Sequence, residues 1–297
     1  MKQRNLNLLI TIFLILFGTF VFAQNVVDST NFWRIVTIDG NEFYGAIESE
    51  NDESITFRTE MLGIVKIQRK DIKVQERMVK ARVENGQVWL ENLQATRYFW
   101  APNGYGLKKG EGYYQNVWVL FNQASVGITK NFSVGAGTIP LFLFNGAPTP
   151  IFVVPKFSFS VIPEKLNLGG GVIIGTILSN DEFFDQTGPF GIAYGVATYG
   201  NKDKNMNLGL GMAFADGEIA NSPVISIGGM ARINRRTYFL TENYIYPSDP
   251  WFALMAVGGR TVWQRVSLDY GFVIPLASEL EGFVAIPWLG FSIPFQY

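Results

Sequence analysis

MNLGLGMAF, residues 206–214, alternates without a slip. Met206, Leu208, Leu210, Met212 and Phe214 share one face of an extended strand, and Asn207, Gly209, Gly211 and Ala213 share the other. In a soluble sheet the second face would be charged and wet, or bulky in a sandwich core. Here one face is greasy and the other tiny. A strand that crosses a bilayer needs this inverted pattern, with apolar side chains toward lipid and small or polar ones toward the interior.

The same contrast recurs in FSVGAG (132–137), LNLGGGVIIG (166–175), PFGIAYGVATYG (189–200) and SLDYGFVI (267–274). A closed barrel is the strand architecture that satisfies every backbone group in hydrocarbon. The expected fold is therefore all-β: an antiparallel transmembrane β-barrel over residues 96–297, with about twelve strands running from 96–107 and 113–128 to 266–276 and 284–297. Its connections fall into two alternating sets. The short, mostly basic set is 129–131, 163–165, 201–205, 234–236 and 264–265; the longer, acidic set is 108–112, 145–149, 179–188, 216–222, 248–250 and 277–283. Short periplasmic turns and longer outer loops would alternate in this way if both termini were periplasmic.

Composition agrees with a membrane address and removes several chemistries. Only 16% of the 297 residues are charged while 15% are aromatic, a surface poor in charge. There is no histidine and no cysteine, which excludes zinc-imidazole sites, thiol nucleophiles, disulfides and Ser-His-Asp hydrolysis. No cofactor or metal is expected. A net charge of −1 lacks the basic face of a nucleic-acid binder. Outer-membrane phospholipases, acyltransferases and proteases resemble one another in relying on an active-site histidine, so no enzyme activity is expected.

The N-terminal residues 1–23 read as a secretory signal: Lys2 and Arg4, an apolar run from Leu8 to Phe17, then Val21-Phe22-Ala23. A membrane anchor is the alternative, but the run is short for a span. Residues 28–78 have a soluble grammar of short alternating runs broken at Asp39-Gly40, Asn51-Asp52 and Gly63. Asp39-Gly40, then Gly45 and Ile47, resembles the first half of an Sm-like or SH3-like small barrel. The resemblance implies a small periplasmic β-domain that packs on the barrel mouth or binds a protein partner. Residues 79–95 would link it to the barrel.

Charges inside barrel strands are informative because an Arg or Lys on the lipid face costs roughly 2–4 kcal/mol near the midplane. Lys156 falls with Ser158 and Ser160, Arg232 with Ser226 and Gly228, Arg260 with Ala256 and Gly258, and Asp269 with Ser267 and Gly271; Glu242 is placed inward with them. These five charges are expected to line the lumen. The leading reading is a pore or transport channel for a small polar solute; the alternative is an ion-pair ladder, such as Arg260 with Asp269, that closes the interior and leaves the barrel a membrane anchor or assembly partner acting through its periplasmic domain. Trp100, Trp118, Trp251, Trp263 and Trp288 lie near expected strand ends, where aromatic girdles form; a carbohydrate-stacking platform is the rarer alternative.

RYFWAPNGYGLKKGEGYYQN, residues 97–116, resembles a stretch in a group of uncharacterised bacterial envelope proteins that join a small N-terminal β-domain to an outer-membrane barrel. Read as the first strand and loop, it keeps the strand number even; read as a plug or partner-binding loop, it leaves eleven. At the C-terminus, WLGFSIPFQY (288–297) is read as the last strand, with Leu289, Phe291, Ile293, Phe295 and Tyr297 toward lipid. Gly290, Ile293, Phe295 and Tyr297 also resemble the C-terminal signal recognised by barrel-assembly machinery. The implied partners are outer-membrane lipid, that machinery and a periplasmic protein.

Overall fold

A computed structural model describes residues 32–296 except 60–61, 79–80, 85–86, 145, 180–187, 264, 279 and 281. The expected signal segment and Tyr297 lie outside the described residues. The N-terminal strands are β1 (Trp33–Thr37), β2 (Glu42–Glu50), β3 (Ser54–Thr59), β4 (Gly63–Gln68) and β5 (Ile72–Arg77). They form one antiparallel sheet in the order β4-β3-β2-β1-β5. Ile35, Ile55, Phe57 and Ile67 bury its core. Gly40, at φ +89°, turns the chain between β1 and β2, where the Asp39 carboxylate accepts hydrogen bonds from the Thr37 hydroxyl and the Asn41 amide. A hairpin of β6 (Ala81–Glu84) and β7 (Gln87–Leu90) follows.

The barrel strands are β8 (Glu111–Val117), β9 (Phe121–Gly127), β10 (Phe132–Thr138), β11 (Thr149–Ile162), β12 (Leu166–Leu178), β13 (Phe190–Gly200) and β14 (Lys204–Ala215). After the two-residue β15 (Glu218–Ile219) come β16 (Val224–Arg232), β17 (Thr237–Tyr246), β18 (Phe252–Val262), β19 (Ser267–Ala277) and β20 (Ile286–Gln296). Each pairs antiparallel with the next; β15 only extends one end of β14, and β14 passes on to β16. The cylinder closes where β20 pairs with β8, from Gly290 opposite Val117 to Gln296 opposite Glu111. Twelve strands thus leave no open edge, the condition for a sheet in hydrocarbon. No helix among the described residues is long and apolar enough to cross a membrane.

The alternation of 206–214 is realised in β14. Leu208 and Leu210 stand 57% and 58% exposed on the outside, while Asn205, Asn207, Gly209 and Gly211 are buried inside. In β20, Leu289, Phe291, Ile293 and Phe295 are likewise exposed, and Gly290 and Ser292 are buried.

The route to twelve strands differs from the expected one. Residues 96–107 form no barrel strand, and the run 113–128, expected as one strand, folds back on itself as the β8–β9 hairpin. Its turn is made by Trp118 and Val119, at φ +50° and +66°. Neither residue is a turn former, and a β-branched side chain is disfavoured at positive φ. The neighbouring side chains supply the support: Asn116 Nδ2 donates to the Val119 carbonyl at 2.9 Å, Asn122 Nδ2 to the Leu120 carbonyl at 2.6 Å, and Trp118 Nε1 to the Pro287 carbonyl at 2.7 Å. The connection 108–112, expected among the long loops, consequently lies at the opposite end, where Gly110 N donates to the Gly127 carbonyl beside the C-terminal end of β20. That end of the barrel is called the terminal end below.

Candidate functional site

Residues 92–107 enter the barrel at the terminal end, turn back and leave at the same end. Inside, they form a tight hairpin: Arg97 bridges Pro102, Tyr98 N donates to the Ala101 carbonyl, Asn103 N to the Thr96 carbonyl, and Asn103 Nδ2 to the Ala95 carbonyl. The small inner-face residues of the strands make room for it. A Cβ on Gly228 would come within 2.8 Å of the Tyr98 ring, and one on Gly169 within 3.1 Å of the Asn103 carbonyl oxygen. Tyr98 and Phe99 are buried with Met230, Tyr238, Leu240, Ala256, Val262 and Val273 in one apolar cluster. The lumen therefore holds a packed core.

Charged side chains of the wall make the principal bonds to this hairpin, although Arg97 Nε, Thr96 Oγ1 and the Gln94 side-chain amide are buried without a partner. Asp269 and Arg260 are cross-strand neighbours on β19 and β18, and Arg260 Nε donates to Asp269 Oδ1 at 2.6 Å. Arg97 Nη1 donates to Asp269 Oδ2 at 2.9 Å, and its Nη2 to the Ser292 hydroxyl on β20. All three side chains are at most 1% exposed. Two guanidinium groups thus share one carboxylate, and their surplus donors go to hairpin carbonyls: Arg97 to Tyr98 and Phe99, Arg260 to Gln94 and Tyr98. Charge-assisted bonds in a water-poor interior are strong, and an unpaired ion there is costly.

The other expected lumen residues are placed as follows. Glu242 is buried at the tip of the hairpin, its Oε2 accepting from Trp100 N at 2.9 Å and Ala101 N at 3.0 Å and its Oε1 from the Tyr244 hydroxyl at 2.8 Å. Lys156 is buried and donates to the carbonyls of Tyr105 and Thr96. Arg232 lies apart at the terminal end, paired with Asp203 at 3.1 Å and stacked 4.8 Å over the Trp89 ring. Lys156, Glu242, Arg260 and Asp269 therefore converge on the hairpin, and Arg232 does not.

Arg97 is not singled out by the sequence, because residues 96–107 read as a barrel strand. Its one available signal was an arginine inside a Gly- and aromatic-rich stretch. Trp100 is a correction to the girdle assignment: it is on the hairpin, its Nε1 donating to Gln123 and its ring edge-on to Phe121 and Phe152. Trp288 packs inward on Phe99 and against Trp118. Trp118, Trp251 and Trp263 remain exposed at barrel ends.

Two cavities adjoin the hairpin. A cavity of about 30 Å³ adjoins Lys156, Thr96, Trp100, Gln123, Ser125 and Ser133, room for about one water. A second, of about 280 Å³, opens at the terminal end between Arg77, Glu91, Thr96, Leu107, Arg265 and Phe295. Among the described residues no three Asp or Glu side chains converge as metal ligands would.

This chain forms a β-barrel with its own hairpin packed inside. No protein family and no curated protein matches the sequence. Among solved structures, the KdgM porin is similar at a TM-score of 0.41 and 8% identity, over 63% of this chain and 96% of its own. It was solved alone and in complex with disordered oligogalacturonate. OmpT with loop L8 deleted, an outer membrane protein of Vibrio cholerae, is similar at a TM-score of 0.33 and 12% identity, over 90% of this chain and 96% of its own.

Proposed function

We propose that the chain is an integral outer-membrane protein whose closed barrel is an anchor and assembly partner for its N-terminal β-domain. The terminal end faces the periplasm in this reading. The observation that carries it is the occupancy of the lumen: the segment 92–107 is packed between the walls, with Arg97 and Arg260 both bonded to Asp269. The apolar outer band of exposed leucine, isoleucine, valine and phenylalanine side chains supports the membrane address. The five-stranded sheet at residues 33–77 would be the interaction module, an Sm- or SH3-like domain offered to a periplasmic protein. The reading includes no catalytic step. Gly290, Ile293, Phe295 and Tyr297 would be the address read by barrel-assembly machinery.

A pore for a small polar solute is the competing function, and it requires the hairpin to leave. Single-channel recording of the refolded protein separates the two. The anchor reading expects an electrically silent bilayer from protein whose gel mobility shifts on boiling; steady conductance by the unmodified protein would return the assignment to a channel.

A further inference from the structure

The hairpin turns at the terminal end repeat one pairing of residue types. Ile128 is followed by Lys130, Ile162 by Lys165, Tyr199 by Lys202, Ile233 by Arg235 and Arg236, and Trp263 by Arg265. Every apolar member is exposed, from 39% for Trp263 to 65% for Ile233. Lys130, Lys165, Arg235, Arg236 and Arg265 are exposed as well. The connections at the other end, 118–120, 139–148, 179–189, 216–223, 247–251 and 278–285, contain no Lys or Arg at all. Among the described residues the barrel is therefore polarised, with these basic turns at one rim and Asp216, Glu218 and Asp249 at the other.

The spacing has a physical meaning at a membrane surface. Each cation sits in the turn just past its apolar residue, with Lys165 N returning to the Ile162 carbonyl at 3.0 Å, so its charge is carried beyond the apolar group by the length of its own side chain. An apolar group at the edge of the acyl region with a cation that far beyond it matches the depth of lipid phosphates. Some of these cations already have protein partners: Lys202 pairs with Glu91 at 2.7 Å, and Arg265 reaches Glu76 of the N-terminal sheet at 3.4 Å. Lys130, Lys165 and Arg235 form no ion pair among the described residues. Their distribution over separate turns, around a barrel that must contact lipid on all sides, places them where a ring of headgroups would be.

We propose that the terminal-end turns form a belt that binds the headgroups of anionic phospholipids in the leaflet they face, with Lys130, Lys165 and Arg235 as principal contacts. The proposal rests on the outer-membrane reading above. It gives the barrel a lipid preference and a fixed depth, set by phosphate at the basic rim and by the apolar residue preceding each cation.

The test uses the whole chain, refolded into phosphatidylcholine vesicles with and without phosphatidylglycerol. Lipid retained after mild detergent release is counted by native mass spectrometry, and boiled and unboiled gel mobility reports folding in the same samples. The expected result is enrichment of phosphatidylglycerol over phosphatidylcholine. It should fall roughly fivefold for each charge removed in Lys130→Gln, Lys165→Gln and Arg235→Gln, the factor one cation gains beside an anionic leaflet. Added salt should weaken it. A folded wild type with no preference, or a triple variant with undiminished preference, would overturn the belt while leaving the membrane reading intact. A wild type that folds into neither vesicle would overturn both.

Discussion

Arg97 Nη1 and Asp269 Oδ2 lie 2.9 Å apart, both side chains at most 1% exposed, joining the inner hairpin to β19. Arg260 holds the other oxygen of the same carboxylate at 2.6 Å. Asp269→Ala leaves two buried guanidinium groups without their counter-ion and should destabilise the barrel by about 3–5 kcal/mol, the scale for breaking a buried pair. The urea concentration at which the heat-shifted gel form disappears measures it; an unchanged midpoint would show that carbonyls and water suffice for both arginines.

The hairpin's position depends on backbone contacts that no side chain can share. A Cβ on Gly104 would sit 2.3 Å from the Asn167 carbonyl oxygen and 3.1 Å from Thr198 Oγ1, and Gly104 N itself donates to Thr198 at 2.7 Å. Gly104→Val should push this limb of the hairpin off the wall and raise ion current above that of the wild type. Planar-bilayer recording checks it, and a variant that conducts no more than its parent would mean that the hairpin re-seats without opening a path.

Val119 offers a stabilising change. Trp118 and Val119 occupy the left-handed region at +50° and +66°, which costs roughly 1–3 kcal/mol for each such residue. Replacing the pair by Asn-Gly, which adopts the same turn without strain, should raise stability by about 1–2 kcal/mol in the same urea assay. A loss would instead assign the Trp118 contacts to Pro287 and Trp288 more weight than the strain.

In the N-terminal sheet, Glu42 lies 2.6 Å from Arg34, and this hydrogen bond, with a second from the Tyr44 hydroxyl, holds its carboxyl below the usual carboxylate range. Because the folded value is depressed, the stabilisation is present above the ordinary glutamate range and is lost as the pH falls through the folded value. Glu42→Gln should therefore weaken hydrogen-exchange protection of β1 and β2 at neutral pH and match the wild type once both are acidified. A difference that persists unchanged in acid would exclude the charge as its source.

The sequence made the outward apolar face legible because a barrel wall imposes a strict period of two: β14 and β20 keep their assigned faces. It also marked Lys156, Glu242, Arg260 and Asp269 as inward charges, since the lipid alternative is expensive. What faced them was hidden. A plug packed between strands uses the same glycines and aromatics as a strand, so residues 96–107 looked like barrel wall. The β8–β9 turn was equally silent, because Trp118-Val119 carries no turn chemistry and is held by Asn116, Asn122 and Pro287. These two errors cancelled in the strand number. The tiny inner face of MNLGLGMAF was visible from the start; that it receives a hairpin depended on contacts such as Tyr98 with Gly228, distant in sequence.

The order in which a chain emerges gives the Arg97 contacts a further consequence. Its partners Asp269 and Ser292 belong to β19 and β20, the last strands to be made, whereas the hairpin precedes every barrel strand. Until β19 has been made, the guanidinium has no counter-ion in the wall. The hairpin enters and leaves by one mouth, so it can seat without threading. The contacts of Arg97 thus tie the earliest part of the barrel region to the latest, through Asp269 and Ser292.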